Sequence, residues 1–455
     1  MDNERQPIED NENSRRKKKS SKFWKGVLVG ILFTVFVGLV AVGAATGIFM
    51  FGRSVIGNPV QTAERSEDAD MLSLNMGQVV SKLSLLQAIV NEYFLFDEDV
   101  EQVEAGIYKG MMDSLDDPYT VYYTAEEYES LTEETEGVYV GIGVLVSQDA
   151  ETNTVTALRV FSGSGAEEAG MKKGDIFYLV GDVEAASVDL DVLVKDYIKG
   201  EEGTWVDITV IRDGEEVELH IQRRMVETTT VEYQLLEDGT GYILVTQFDV
   251  VTGDQFAAAV DELERQGMER LVIDLRDNPG GVLDTCVQMA AYILPETSYG
   301  GTILTTATKA GESDRYFCED GLIKHEIYDD SGDDNSYPRQ DGHEVDLPIA
   351  ILINGNSASA SEVFSGALQD YGAAVLVGTT SFGKGIVQSL LPLDDGSAVK
   401  ITVAHYYTPS GFDLHGKGLT PDIEVELELD EDLVGAYDVP LDRDNQVQAA
   451  IAAIR

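Results

Sequence analysis

Two cysteines in 455 residues, Cys286 and Cys318, are too few for a disulfide framework or a four-ligand zinc site. Histidine is almost as scarce: there are five, none in an HExxH pattern, so metal-dependent hydrolysis is not expected and no metal or cofactor is assigned. Basic residues are in short supply, with 32 Lys and Arg against 82 Asp and Glu and a formal charge of −50. That balance argues against a sequence-independent grip on phosphates, and nucleic acid is not expected as a partner. What remains is a chain that is 43% hydrophobic, enough for large cores and for two or three packed domains.

Charge is unevenly spread. Residues 1–25 hold eight Lys or Arg against five Asp or Glu, a net +3, whereas the remaining residues hold 24 basic and 77 acidic groups. Between Gly26 and Gly52 no charge occurs at all. At ~1.5 Å per residue that run would reach roughly 40 Å, more than the ~30 Å hydrocarbon layer of a bilayer requires. It reads as a single membrane-spanning helix. Arg15, Arg16, Lys17, Lys18, Lys19, Lys22 and Lys25 precede it and should stay cytoplasmic, which sends everything after Arg53 outside the cytoplasm. A cleavable signal peptide, helped by the small residues from Ala41 to Ala45, and a long buried core helix are the alternatives. The run exceeds a typical h-region of about 7 to 15 residues, so retained anchoring in the cell membrane is the reading preferred. Outside the cell Cys286 and Cys318 could pair or remain isolated buried thiols, and spacing does not decide between these.

A polar stretch, 53–75, suits a linker. Over 76–135, apolar residues recur at helical spacing (Val79, Val80, Leu83, Leu86, Ile89, Val90, then Val103, Ile107, Met111), with Asp116-Asp117-Pro118 as a stop, and predict two or three helices. Residues 136–224 are strand-like and punctuated by glycine, ending in two alternating runs joined by Asp213-Gly214. Residues 225–430 alternate strand and helix signals, including helices over Asp254–Gln266, Leu283–Leu294 and Ser361–Tyr371. A β-rich part, VQSLLPLDDGSAVKITVAHYYTPSG, follows. The acidic stretch 328–342 reads as a solvated loop, and 431–455 ends in a short helix over NQVQAAIAAI that packs on the core or on a second subunit. The expected fold class is α/β: a transmembrane helix, a helical region, a small β domain, and an α/β core with a β-rich carboxyl-terminal part.

The segment 136–224 resembles a PDZ domain, on Gly141-Ile142-Gly143 as a carboxylate-binding turn, on GSGAEEAGMKKGDIF, and on the closing hairpin. In such a turn glycine frees backbone N–H groups for a chain-terminal carboxylate, and the adjoining strand edge from Val144 adds the ligand as a further strand.

The chemistry-bearing run is ILINGNSASASEVFSGALQDYG. A buried strand ends at Asn354-Gly355 and a helix starts near Ser361. A serine between them sits at a helix N-terminus, where free N–H groups favour developing negative charge. Local physics does not choose among Ser357, Ser359 and Ser361, because Ser361 serves equally well as an N-cap with Glu362 beside it. A second strand, AVLVGT, leads into Ser381-Phe382-Gly383-Lys384-Gly385, which places a lysine in a glycine-lined turn. Burial can lower a lysine pKa from ~10.4 toward neutrality and make it a general base without any histidine.

These residues resemble the carboxyl-terminal processing, or tail-specific, proteases. The matching stretches are YVGIGVLV, GAEEAGMKKGD, VIDLRDNPGG, NGNSASASE and SFGKGIVQ, in the family's order, over about 76–455. The resemblance implies Ser359 as nucleophile, Lys384 as its base, and Gln388 as the group orienting the lysine. It places the oxyanion hole at the N–H of Ala360 and of Gly280 or Gly281, and peptide binding at Gly141, Ile142, Gly143 and Val144. Ser381 stands where the family often has threonine, a mild departure. The sequence SFGK also spells the SxxK of penicillin-binding proteins, but the SDN and KTG partners of that motif are absent from the chain.

The expected function is therefore a membrane-anchored, extracytoplasmic serine endopeptidase that recognises proteins with free, apolar C-termini and cleaves near them. The resemblance further suggests a homodimer through the helices near 76–131 and the last residues. A catalytically inactive PDZ scaffold is the alternative from another class.

Overall fold

The structure is a computed structural model, and it describes residues 72–150, 152–161, 163–295, 299–327, 337–338, 344–428 and 436–455. The expected membrane helix at 26–52 and most of the acidic loop at 328–342 lie outside the described residues. Among the described residues no helix is long and apolar enough to cross a membrane. Two compact units divide the chain after Asp97. In the first, a helix spans Met76–Tyr93 and is capped by the Asn75 side chain, which accepts from the Gln78 N–H.

The second unit is mixed α/β. It opens with a helix, Val100–Asp113, and the Asp116–Pro118 stop ends it as expected. A three-residue strand, Val121–Tyr123, then precedes the helix Ala125–Glu136. That strand interrupts the helical region read from the sequence. Its backbone bonds are satisfied by a segment far along the chain, Ala398–Lys400, so no local signal announces it.

An antiparallel β domain follows, with strands Val144–Gln148, Val155–Val160, Ile176–Val180, Trp205–Arg212 and Glu215–Gln222 in that spatial order. Asp213 and Gly214, both at positive φ, make the tight turn of its last hairpin. Strand alternation turns Val155, Ala157, Phe177, Ile208, Val210 and Ile221 into a core separate from the rest. Val138–Gly141 and Arg224–Glu227 pair with each other where the chain enters and leaves this domain.

The central sheet runs Val231–Leu235, Thr240–Val245, Arg270–Asp274, Ile349–Ile353, Ala374–Gly378 and Ile423–Glu424, parallel except at the first pair. Ile243, Leu271, Ile273, Ile351 and Leu376 face the helices Thr252–Arg265, Leu283–Ile293 and Ala360–Asp370. Tyr242, Val272, Ala350, Leu352 and Val377 face the helix Asn445–Ala453 through Val447, Ala450 and Ile451. Both faces of the four inner strands are covered, which is why Thr240–Val245, Arg270–Asp274, Ile349–Ile353 and Ala374–Gly378 read as largely apolar runs. A second, antiparallel sheet contains Thr302–Thr308, Ser313–Glu319 and Leu322–Ile327, with Ile386–Pro392 and Ala398–Tyr407. Cys286 and Cys318 are both buried free thiols.

Below the central sheet Arg276 is almost completely buried. It pairs with Asp274 at 2.5 Å and with Asp444 at 2.9 Å, and donates to Gln446 Oε1 at 2.9 Å. The carboxyl-terminal helix is thereby tied to the loop after Arg270–Asp274. Replacing Arg276 with methionine leaves two buried carboxylates uncompensated and should cost about 3–5 kcal/mol. Urea denaturation followed by circular dichroism reads this directly, and an unchanged midpoint would show that the cluster contributes nothing.

Candidate active site

Three loops meet at the carboxyl ends of adjacent parallel strands: 275–282 after Arg270–Asp274, 354–359 after Ile349–Ile353, and 379–385 after Ala374–Gly378. Strand ends of this kind are where open α/β sheets place reactive groups. The first two loops are laced by amides. Asn354 and Asn356 both donate through their side-chain nitrogens to Asp277 Oδ1, at 2.9 and 2.8 Å. Asn278 is fully buried, donates to the Val245 carbonyl, and accepts from the Gly280 N–H, each at 2.8 Å.

The three serines that were equivalent in the sequence have different lives in the fold. Ser357 is buried and donates to the Leu275 carbonyl at 2.7 Å, and Ser361 is buried and donates to the Asn278 carbonyl at 3.0 Å. Ser359 is half-buried, and its hydroxyl is given to no main-chain carbonyl among the described residues; its side-chain neighbour is the Tyr406 hydroxyl. The helix Ala360–Asp370 starts immediately after it, so Ser359 rather than Ser361 holds the N-cap position. Its φ of 55° and ψ of −117° are unfavourable for a residue with a Cβ. Such a conformation costs on the order of 1–3 kcal/mol and persists only when its surroundings enforce it.

The enforcing group is Glu362, fully buried in the first turn of that helix. One carboxylate oxygen accepts from the Ser359 N–H at 3.0 Å and from the Lys384 N–H at 2.8 Å. The other accepts from Ser381 Oγ at 2.5 Å and from the Gly383 N–H at 2.7 Å. A single side chain thus holds the serine turn and the lysine turn together. Tyr406 adds a second clamp: its buried hydroxyl donates to the carbonyls of Ser359, at 3.1 Å, and of Lys384. Burial pushes the Tyr406 phenol well above its ordinary range, which keeps it a donor. The Ser381 hydroxyl also accepts from the Leu419 N–H at 2.7 Å. It is committed on both sides, which suits a strap better than the nucleophile of an SxxK motif.

Lys384 lies at the end of this turn with its side chain half-buried. Burial, and then the ammonium of Lys400, push its amine below the ordinary lysine range, while Asp117 and Glu362 oppose that shift. Its Nζ stands 4.4 Å from the centre of the Tyr119 ring and makes no hydrogen bond to Ser359 Oγ among the described residues. The backbones of the expected pair are therefore clamped together, while no hydrogen bond joins their side chains among the described residues. Gln388 lies on the strand Ile386–Pro392, at an irregularity in its pairing, and its amide reaches Thr402 Oγ1 at 3.3 Å and the Ile386 carbonyl at 3.4 Å, not Lys384.

Gly280 packs directly against the serine turn. A Cβ added there would fall 2.6 Å from the Ala358 oxygen and 2.8 Å from both Ala360 N and Ser359 Cβ. Its own N–H is spent on Asn278, whereas those of Ala360 and Gly281 have no acceptor among the described residues. In the β domain, Gly141 ends a strand, Ile142 is buried, and Gly143 has a φ of 79°. The N–H groups of Ile142 and Gly143 donate to nothing among the described residues, and Val144 begins the edge strand of that sheet. Glu362, Tyr406, Asn278, Asp117 and Tyr119 were not singled out as site residues from the sequence. Only the Glu362 position, three residues after Ser359, carries a readable local signal, that of a capping box.

The model of peptidase family S41 matches residues 239–425, which include all three loops. A protein of Staphylococcus aureus (strain COL) named "Probable CtpA-like serine protease" is 31% identical over 421 residues, covering 92% of this chain and 76% of that protein. The chain belongs to peptidase family S41. A like-named protein of Staphylococcus haemolyticus (strain JCSC1435) is 29% identical over 415 residues, covering 91% of this chain and 75% of its own. Among solved structures, a photosystem II D1 C-terminal processing protease is similar at 26% identity and a TM-score of 0.40, over 76% of this chain and 87% of that one. This S41 chain is accordingly a serine-type peptidase of the carboxyl-terminal processing family.

Glu362→Gln would turn an amide toward backbone donors. It should lower stability by about 2–4 kcal/mol, since two buried donors lose their acceptor. Gly280→Ala should fold but lose about a hundredfold or more in peptidase activity, because the serine turn must move to admit the methyl group. Thermal melts and peptide-cleavage rates measured on both variants separate the two effects, and wild-type rates in Gly280→Ala would contradict this packing.

Proposed function

We propose that this S41 peptidase is a membrane-anchored, extracytoplasmic endopeptidase that captures the free C-terminus of a protein through a PDZ domain and cleaves near it with a Ser359–Lys384 pair. The observation that carries the reading is the state of the three serines. Ser357 and Ser361 give their hydroxyl protons to main-chain carbonyls, whereas Ser359 stands half-buried, bonded to no such carbonyl, on a strained turn that Glu362 locks to the lysine turn.

In this reading Lys384, neutral once desolvated, swings from Tyr119 to Ser359 Oγ and takes its proton as the oxygen attacks the peptide carbonyl. Negative charge then develops on the carbonyl oxygen. The N–H of Ala360, at the start of its helix, and that of Gly281 receive it, since the Gly280 N–H is already given to Asn278. The tetrahedral intermediate collapses to an acyl-enzyme as the lysine ammonium protonates the leaving amine. Water, deprotonated by the same lysine, then releases the acid. Gln388 acts on the lysine at one remove, through Thr402.

The unused N–H groups of Ile142 and Gly143 support carboxylate capture, and the edge strand from Val144 supports addition of the substrate tail as a strand. The charge-free run at 26–52 supports anchoring. A second copy of the chain is the partner the resemblance suggests for the exposed apolar residues Leu86, Ile89, Val90, Val103 and Ile107.

Ser359→Ala and Lys384→Ala should each abolish cleavage of an unstructured protein with an apolar tail while melting like the wild type. Turnover retained in either variant refutes the pair. A fluorophosphonate probe should label Ser359, and failure to label even with a bound C-terminal peptide favours the inactive scaffold. Amidating the C-terminus of the substrate should cut kcat/KM at least tenfold if the carboxylate is read, and equal rates would remove the PDZ role.

A further inference from the structure

The Lys384 amine is surrounded by groups from three separate elements. Tyr119 and Asp117 come from the loop after the helix Val100–Asp113, Glu362 from the helix after Ser359, and Lys400 from the strand Ala398–Tyr407. The first two lie 265 and 267 positions upstream of Lys384. Their loop is nevertheless fixed firmly. Val121 and Tyr123 pair with Lys400 and Ala398 in a backbone ladder. Asp117 accepts from Thr120 Oγ1 at 2.7 Å and from the Tyr119 N–H at 3.1 Å, and it shares a hydrogen bond with the Thr402 side chain. The Thr402 N–H in turn donates to Thr120 Oγ1 at 3.2 Å. Gln388 reaches the same Thr402 hydroxyl from the other side.

We propose that Asp117 and Tyr119 are positioning residues for Lys384, holding its amine beside the serine turn and fixing its charge at rest. The inference deepens the reading of Lys384 as the base. An aromatic face and a carboxylate both favour the ammonium, whereas a neighbouring ammonium disfavours it. Asp117 and Tyr119 thus pull against Lys400 and against burial, and Glu362 adds to their side from below. The role proposed for Gln388 follows from the same network: it supports Thr402, which supports Asp117.

The opposed charges allow a test that a purely structural role would fail. In the full-length enzyme, the acidic limb of the pH profile of kcat/KM should move to lower pH in Asp117→Asn and in Tyr119→Leu. At a pH on that limb each should show roughly three- to tenfold more of its own plateau activity than wild type. Tyr119→Phe, which keeps the ring, should restore the wild-type limb. Lys400→Gln should move the limb the opposite way. Residues that merely brace the fold would lower the plateau and leave the limb in place. A second measurement does not depend on catalysis: competitive acetylation of Lys384 by acetic anhydride across pH, quantified by peptide mass spectrometry. The amine should become reactive at lower pH in Asp117→Asn and at higher pH in Lys400→Gln. Identical titration in wild type and both variants overturns the inference. Absence of fluorophosphonate labelling in a wild-type enzyme whose lysine titration does respond would instead count against the dyad and leave the positioning role standing.

Discussion

The site depends on one buried carboxylate. Glu362 has no exposed surface, and all four hydrogen bonds it accepts come from two loops that the central sheet alone would leave independent. Strands end, and their loops are free to diverge. Here the first turn of a helix carries an acceptor to the spot where the loops meet, and three backbone N–H groups and a hydroxyl converge on it. The arrangement also explains how Ser359 tolerates its backbone angles. Its N–H is fixed by Glu362 and its carbonyl by Tyr406, so the strained φ is determined from both sides of the residue.

Support extends outward in layers. Asp277 accepts from the Asn354 and Asn356 amides, and the Asn278 carbonyl accepts from the Ala358 N–H and the Ser361 hydroxyl, which fastens the glycine loop to the serine turn so closely that a Cβ at Gly280 has no room. Cys286 donates its thiol to the Ala360 carbonyl at 3.2 Å from beneath, and burial pushes that thiol far above its ordinary range, leaving it a small apolar filler and weak donor. Further down, Arg276 links the glycine loop to Asp444 and Gln446 at the start of the last helix. The carboxyl-terminal segment is therefore part of the same framework: its apolar face covers one side of the sheet, and its polar start neutralises the charge buried beneath the glycine loop.

The alternation of apolar runs and helical periods made the central sheet and its three covering helices legible, with ends displaced by a residue or two, as at Thr252–Arg265. Burial of a parallel sheet on both faces writes itself into composition, because most residues of the inner strands must be apolar. The serines were different. Ser357, Ser359 and Ser361 share a chemistry and a locality, and only their long-range partners, at Leu275 and Asn278, tell them apart. The same holds for the strand Val121–Tyr123 and for Tyr119. Their partners lie hundreds of residues away, so periodicity over a short window carries no trace of them. Gln388, expected to orient the lysine, sits on a β-strand that turns its amide toward Thr402.

Lys384 is subject to two opposed demands. At rest a cation is comfortable on the face of Tyr119, near Asp117 and Glu362, and that comfort keeps a solvent-facing amine from being expelled from the site. A base, however, must be neutral, and burial and Lys400 push in that direction without removing the amine from its perch. In the proposed mechanism a peptide binding at Ser359 would remove water from the half-exposed face of the side chain. Desolvation penalises the ammonium far more than the amine, while the aromatic contact is worth only about 0.5–2 kcal/mol. On the proposed mechanism, covering the amine therefore shifts it toward the neutral form. The act of covering the lysine both favours its neutral form and frees it to reach Ser359, so the base becomes competent where a peptide bond is present.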